Sequence, residues 1–277
     1  MSEYFSDIVV SGTDAEAEQY NDLRKDALYN TRVGSRLWFN LDINPPDHII
    51  WTQRGRMMFI PNTTSWDVYD ALYEEAIIPR NTTSIVSGLT ITPDVSCRVE
   101  NGSGTEYILA FATGGTTPYR YDSNGQNETS CTFSGTTITT GAERIGYDPL
   151  TGYIYIMDDS SRTGTTIKRY TLSGTVLTYV DTITLDTAPS GIGHILMWIG
   201  KNYLVLLEGT TGDKDIVRYN KDTGAKIDAI NDSVIRGQGG FTPHPQTNDA
   251  YLCTVHSNDP TSNPPKNFML CNYDDRI

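Results

Sequence analysis

Residues 144–185 read RIGYDPLTGYIYIMDDSSRTGTTIKRYTLSGTVLTYVDTITL, and this stretch decides the fold. RIGYD (144–148) is a short strand, and Pro149-Leu150-Thr151-Gly152 is a tight turn built from residues that favour chain reversal. YIYIMD (153–158) is a short apolar run bounded by turn signals, the pattern of a strand buried on both faces. TIKRYTL (166–172) alternates apolar and polar residues, as a third strand does. Ser173-Gly174 turns the chain again, and VLTYVDTITL (176–185) is an outer strand. The unit is a four-stranded up-and-down sheet.

The unit repeats. A tyrosine-led apolar run reads YILAF at Tyr107, YIYIM at Tyr153, YLVLL at Tyr203 and YLCTV at Tyr251, with gaps of 46, 50 and 48 residues. MMFI (57–60) begins 50 residues before the first of these. A second marker ends at Tyr69 (WDVY), Tyr121 (YRY), Tyr170 (KRY), Tyr219 (VRY) and Tyr273 (CNY), spaced 52, 49, 49 and 54 residues apart. Two independent markers with one period match a propeller blade better than a helical solenoid. The next unit follows the same plan with HILMWIG (194–200), YLVLLEG (203–209), DIVRYNK (215–221) and AKIDAIN (225–231). Earlier units are expected to start near HIIWT (48–52) and LTITPDVSCRV (89–99).

The last unit shows three strands, near GGFTPHP (239–245), YLCTVH (251–256) and FMLCNYD (268–274). RLWFNLD (36–42) stands ahead of the first unit with no strand partners of its own. Ring closure, with 36–42 as the outer strand of the last blade, would remove exposed sheet edges. The expected fold is therefore all-β, a propeller of about five four-stranded blades over residues 36–277. A β-sandwich or irregular β stack is the competing architecture.

Composition agrees. The 277 residues hold 17 Tyr against 7 Phe, and Thr, Gly and Asn are abundant, which suits pleated strands and their turns. The net charge of −13 leaves no cation surplus for nucleic-acid phosphates or an anionic membrane. No apolar run is long enough to cross a bilayer, so membrane insertion is not expected. MSEYFSDIVV (1–10) lacks a basic region and an apolar core of signal-peptide length. Cys97, Cys131, Cys253 and Cys271 form no CxxC pair and are expected to be small buried hydrophobes. The sequons at Asn62, Asn81, Asn127 and Asn231 are expected to be turn composition.

Residues 1–35 differ in kind. Thr13-Asp14-Ala15-Glu16 is a capping box, followed by acids early and Arg24 and Lys25 late, as a helix dipole prefers. Tyr20, Leu23 and Ala27 share one face of that helix and are the candidate docking residues. A single such helix is marginal in water, so it needs the β body, a second copy or a partner. The segment VVSGTDAEAEQYNDLRKDAL (9–28) resembles the N-terminal stretch of tailed-bacteriophage structural and appendage proteins. Gly12, Thr13, Tyr20, Asn21, Leu23, Arg24 and Asp26 carry the resemblance, which covers under a tenth of the chain. It implies that the arm attaches to a virion assembled in the host cytoplasm, beside other virion proteins and copies of itself. It implies also that the β body faces outward, where host surface glycans are candidate partners.

Chemistry is sparse. His48, His194, His244 and His256 have no partner at metal-ligand spacing. Asp122–Glu128 (DSNGQNE) has the flavour of a calcium loop without its required order, and a turn is expected. Glycoside hydrolysis needs two carboxylates, for which Asp94, Asp148, Asp158 and Glu208 are strand-end candidates. Asp148 is expected to cap a turn, and Asp158-Asp159 to lie in a polar loop. Arg120, Arg169 and Arg218 occupy equivalent places in three blades. They either line a face that binds anions or sugars, or cover apolar surface with their stems while the charged heads stay wet. Trp38, Trp51, Trp66 and Trp198 are expected to fill space between blades rather than to stack sugars. No catalytic, metal or cofactor site is expected. The function that follows is a non-enzymatic virion structural protein. A lectin-like propeller and a five-bladed glycoside hydrolase are the alternatives.

Overall fold

The computed structural model describes residues 37–40, 50–52, 57–71, 79–159, 163–189, 197–208, 213–236, 239–243, 250–256 and 267–273. Every regular element among them is a strand. The expected helix of the arm, with Tyr20, Leu23 and Ala27, lies outside the described residues.

The strands form five sheets. β1 (Leu37–Asn40) comes first in the chain. The first sheet holds β2 (Ile50–Thr52), β3 (Met57–Asn62), β4 (Ser65–Ala71) and β5 (Pro79–Ser87) in sequential order. The second holds β6 (Val95–Glu100), β7 (Glu106–Phe111), β8 (Tyr119–Asp122) and β9 (Thr129–Ser130). The third adds β10 (Thr132–Ser134) to β11 (Ala142–Asp148), β12 (Tyr153–Asp158), β13 (Thr166–Ser173) and β14 (Val176–Thr184). The fourth holds β15 (Met197–Ile199), β16 (Tyr203–Glu208), β17 (Asp213–Asn220) and β18 (Lys226–Arg236). The fifth holds β19 (Gly239–Pro243), β20 (Ala250–His256) and β21 (Asn267–Tyr273), with β1 at its edge. β1 pairs antiparallel with β21, Leu37 opposite Leu270 and Asn40 opposite Asn267, so this sheet draws on both ends of the chain.

The core lies between sheets. Along the central strands, alternate side chains point to opposite faces, the period of a pleated strand. Ile108, Ala110 and Tyr121 of the second sheet pack with Phe59, Trp66 and Val68 of the first. Leu109 and Phe111 take the other face and pack with Ile154, Ile156, Tyr170 and Leu172 of the third. Tyr155 and Met157 in turn pack with Leu204, Leu206, Val217 and Tyr219 of the fourth. Apolar burial therefore covers both faces of β7 and β12. This explains why these runs are continuously hydrophobic. Trp66 sits at the first of these junctions, edge-on to Tyr121 at 5.6 Å and to Phe59 at 6.1 Å. Such contacts are each worth roughly 0.5–1.5 kcal/mol beyond their burial.

Successive sheets are also tied by hydrogen bonds of one kind. Among the described residues, the segments leaving β5, β9 and β14 each bond to the hairpin between the third and fourth strands of the next sheet. Thr90 N donates to Glu128 Oε2 at 2.9 Å, Thr132 N to Thr175 O at 2.9 Å, and Asp186 N to Gly224 O at 3.1 Å.

Two details depart from expectation. The strand predicted over 89–99 begins at Val95, because Pro93 has no N–H to donate and Asp94 N folds back to Thr92 O at 2.9 Å. β10 is an addition. It leaves the second sheet and pairs parallel with β14, Thr132 opposite Val176 and Ser134 opposite Thr178, which covers part of the third sheet's outer edge.

Candidate functional site

The repeated arginines and tyrosines are partners. Arg120 lies directly opposite Leu109, Arg169 opposite Tyr155, and Arg218 opposite Val205. This register places each guanidinium diagonally across from the tyrosine at or next to the start of the preceding strand. The guanidinium carbon lies 4.3 Å from the ring centre of Tyr107 for Arg120, 5.4 Å from that of Tyr153 for Arg169, and 5.0 Å from that of Tyr203 for Arg218. The two sequence markers are thus the two halves of one cation–π contact, made three times.

The charged heads do not stay wet, contrary to expectation. Arg169 grips both oxygens of Asp181, with Nε to Oδ1 at 2.5 Å and Nη2 to Oδ2. Arg218 grips Asp228 in the same way, with Nε to Oδ1 at 2.7 Å and Nη2 to Oδ2. Both arginine side chains are only 12% exposed. The cause is register: each aspartate sits opposite its arginine on the outer strand, so a planar fork meets a planar carboxylate. The Arg218 guanidinium holds the Asp228 carboxyl below the ordinary carboxylate range. Arg169 Nη1 extends to Asp222 of the fourth sheet at 3.3 Å, and Arg120 Nη1 donates to Gly174 O of the third at 2.6 Å. Arg120 and Arg169 thus link neighbouring sheets, Arg218 is held within its own sheet, and these internal partners take up the heads that a row of anion or sugar sites would need.

The carboxylate candidates are likewise engaged. Asp148 accepts from Leu150 N at 2.9 Å and Thr151 Oγ1 at 2.8 Å, the expected turn cap. Its other partner is Lys221 Nζ of the fourth sheet at 2.8 Å. Asp158 is the buried last residue of β12, not part of a polar loop. It accepts from Thr139 N (3.0 Å), Thr140 N (2.8 Å), Gly141 N (3.3 Å) and Lys168 Nζ (2.5 Å). Burial alone would raise its pKa, but the Lys168 ammonium and the Thr140 and Thr139 amides outweigh that and lower it to about 2. Asp159 does lie beyond the strand and caps its loop, accepting from Thr163 N at 2.9 Å and Gly164 N at 2.6 Å. Glu208 is buried and accepts from Tyr219 Oη at 2.8 Å; burial and this carboxylate together push the tyrosine pKa up. Asp94 accepts from Thr113 Oγ1 at 3.1 Å.

Asp158 is not poised as a general acid. A general acid needs a carboxyl with a raised pKa, poised for exchange. Asp158 is shifted the other way and is held by six donor groups. Asp148 and Asp158 also lie at opposite ends of β12's hairpins, one at the 148–153 turn and one at the far end of the strand.

The other candidates behave structurally. In the Asp122–Glu128 turn, Asp122 Oδ2 accepts from Asn127 Nδ2 at 2.6 Å and Glu128 is bonded to Thr90 N. Cys97 and Cys131 are buried free thiols, and burial pushes their pKa values up, to about 11 for Cys131. Trp51, Trp66 and Trp198 are buried. Cys253, Cys271, His256 and Trp38 fall on strands whose side chains lie outside the description, and His48, His194 and His244 lie outside the described residues. No group of three or more potential metal-ligating side chains occurs among the described residues.

The residues that complete these contacts, Lys168, Lys221, Thr139, Thr140, Asp181 and Asp228, were not singled out from sequence. The nearest signal was Asp-Thr-Ile on β14 and Asp-Ala-Ile on β18, at Asp181 and Asp228. Each falls 10–12 residues beyond its arginine.

Comparison with known proteins places the chain in no family: neither a protein-family model nor a curated protein matches it. Several solved structures are distantly similar. Hydrazine synthase of Kuenenia stuttgartiensis is 15% identical over 81% of this chain, with a TM-score of 0.45, and the match spans 60% of that protein. A luciferin-regenerating enzyme is 12% identical, covering 83% of this chain and 78% of its own, with a TM-score of 0.45. The Malassezia sympodialis allergen Mala s 1 is 11% identical, covering 88% and 80%, with a TM-score of 0.46. Likenesses this remote carry no argument about activity.

Proposed function

We propose that the chain is a five-bladed β-propeller closed by β1, and that this body is a non-enzymatic module of a tailed-bacteriophage virion, attached through residues 1–35. The propeller reading is supported by the order of contacts between innermost strands. β2 neighbours β6, β6 neighbours β11, β11 neighbours β15, β15 neighbours β19, and β19 neighbours β2. Strand β1 completing the fifth sheet supports it further.

The non-enzymatic reading rests on one observation. Each strand-end carboxylate offered by the sequence for acid–base chemistry accepts hydrogen bonds from inside the chain: Asp94, Asp148, Asp158 and Glu208. The glycosidase alternative loses its candidate pair, and the lectin alternative loses its repeated arginines to Asp181 and Asp228. The virion assignment rests on the resemblance of residues 9–28, with the helix face of Tyr20, Leu23 and Ala27 as the docking surface. Its partners are other virion proteins and copies of the chain itself. Many copies on one particle would turn weak contacts into firm attachment.

The test compares the full chain with a chain starting at Leu37. Light scattering gives the mass of each, and co-sedimentation with particles lacking this protein gives attachment. The short chain should stay folded and lose self-association or particle binding. Identical monomers that both ignore particles would refute the anchoring role.

A further inference from the structure

Asparagine followed by glycine occurs twice in the chain, at Asn101-Gly102 and Asn124-Gly125. In such a pair the glycine amide nitrogen can attack the side-chain carbonyl carbon of the asparagine before it, because no Cβ on the glycine blocks the approach. The fold places the two pairs in different surroundings. Asn101-Gly102 lies in the hairpin between β6 and β7, which Asn101 N closes by donating to Thr105 O at 3.0 Å. Gly104 N donates to Asn101 O at 2.8 Å, and residues Gly102, Ser103, Gly104 and Thr105 are exposed. Asn124-Gly125 lies in the turn between β8 and β9, where Gly125 is buried.

Asn101 Oδ1 accepts from Thr105 N at 2.8 Å, from Ser103 Oγ at 2.8 Å and from Ser103 N at 3.1 Å. These bonds to residues 103 and 105 curl the side chain back over the Gly102 peptide and bring its carbonyl carbon toward the Gly102 nitrogen. Donors converging on one carbonyl oxygen are also the arrangement that stabilises an oxyanion. Among the described residues Gly102 N donates to no acceptor, and a Cβ on Gly102 would meet nothing within 4 Å, so water and hydroxide reach its N–H. At the second pair the attacking nitrogen is engaged. Gly125 N donates to Asp122 O at 2.8 Å, and a Cβ there would fall 2.7 Å from the Phe59 ring.

We propose that Asn101 is a site of spontaneous modification, at which the chain converts its own side-chain amide to a carboxylate. Hydroxide removes the proton of Gly102 N, and the nitrogen attacks Asn101 Cγ. The new C–N bond forms as an electron pair moves onto Oδ1, where Thr105 N, Ser103 N and Ser103 Oγ hold the negative charge. The pair returns to carbon, the side-chain nitrogen takes a proton from water and leaves as ammonia, and a cyclic imide joins residues 101 and 102. Water then opens the ring at either carbonyl, leaving aspartate or isoaspartate at 101. The sum is amide plus water to acid plus ammonia, with no change of oxidation state. Isoaspartate lengthens the main chain of the hairpin by a carbon atom. The neighbouring Glu100 O accepts from Tyr147 Oη of the third sheet at 3.3 Å, so the change falls beside a contact between sheets. This chemistry is independent of what the body is displayed on.

The experiment ages the full chain in mildly alkaline buffer, folded and in urea, and follows both asparagines by peptide mass spectrometry with detection of isoaspartate. In the folded chain the Asn101 peptide should gain the mass of an amide-to-acid exchange while the Asn124 peptide stays intact. In urea the two sites should react at similar rates, with Asn101 no faster than in the folded chain. S103A removes one donor to Oδ1 and should slow the folded reaction about threefold. G102V sets a branched Cβ beside the nucleophile and should slow it about tenfold. Gly102 has open space around it and no left-handed φ, so this variant keeps the fold. Reaction of Asn124 as fast as Asn101 in the folded chain, faster reaction of Asn101 in urea, or an unchanged rate in either variant would overturn the proposal.

Discussion

The guanidinium carbon of Arg218 lies 5.0 Å from the centre of the Tyr203 ring while its fork holds Asp228. The same arrangement joins Arg169, Tyr153 and Asp181. Lysine would keep the charge at these sites but lose the fork and the planar stacking. Arg218→Lys should therefore lower the unfolding free energy by about 1–2 kcal/mol, read from the urea midpoint at constant slope. A double-mutant cycle with Tyr203→Leu should give a coupling of about 0.5–1 kcal/mol. Zero coupling would show that the ring is only a neighbour.

Asp158 sets a pH dependence. Its folded pKa is about 2 against an ordinary 3.8, so the folded state favours the carboxylate. A lowered folded value means stabilisation present above pH 4 and lost as pH falls through 2. The contribution is roughly 2 kcal/mol. Asp158→Asn should flatten the stability curve across that window in chemical denaturation series. It should also cost about 3 kcal/mol at neutral pH, because Lys168 would stay buried without its counter-charge. An unchanged slope between pH 4 and 2 would contradict this assignment.

Lys221 joins two sheets through Asp148 Oδ2 at 2.8 Å and Gly200 O at 3.3 Å. Lys221→Met preserves the stem and removes the charge. The loss should be about 3 kcal/mol, because the Asp148 carboxylate is only 1% exposed. Hydrogen exchange should quicken in the 148–153 turn and in the 200–203 turn together. Faster exchange in only one of them would place the bond within a sheet rather than between sheets.

Gly224 has φ of +75°, and a Cβ there would fall on the carbonyl of Thr184 in the preceding sheet. Backbone at the obstruction cannot rotate aside as a side chain can. Gly224→Ala should destabilise by about 2–4 kcal/mol in thermal or urea unfolding. Gly174 occupies the equivalent hairpin with φ of +59° and open space around it, so Gly174→Ala should cost only about 1 kcal/mol. Equal costs would mean that backbone strain alone decides both.

The strand plan was legible because two markers carried it. Tyr107, Tyr153, Tyr203 and Tyr251 fall at or next to the start of β7, β12, β16 and β20, and 36–42 contains the strand that pairs with β21. These elements advertise themselves through burial on both faces and through period. β10 did not, because Thr132-Phe133-Ser134 is too short and polar to read as a strand, and its partner β14 lies more than 40 residues on. The fate of the arginine heads was hidden for a similar reason. Arg169 and Asp181 become neighbours only through the register of β13 on β14, which a bulge between Arg169 and Tyr170 adjusts. Asp158 looked like a loop residue because its donors, Thr139 to Gly141, precede it in the chain by 17–19 residues.

In the proposed propeller, β1 closes the ring by completing the fifth sheet against β21. Hydrogen exchange can test this on a chain starting at Leu37 and one starting at Leu41, which lacks β1. The first should protect β20 and β21 as the full chain does. The second should lose protection across 250–273 while keeping it across β12 and β13. Equal protection of β21 in both chains would show that β1 closes nothing, and the propeller reading would fail.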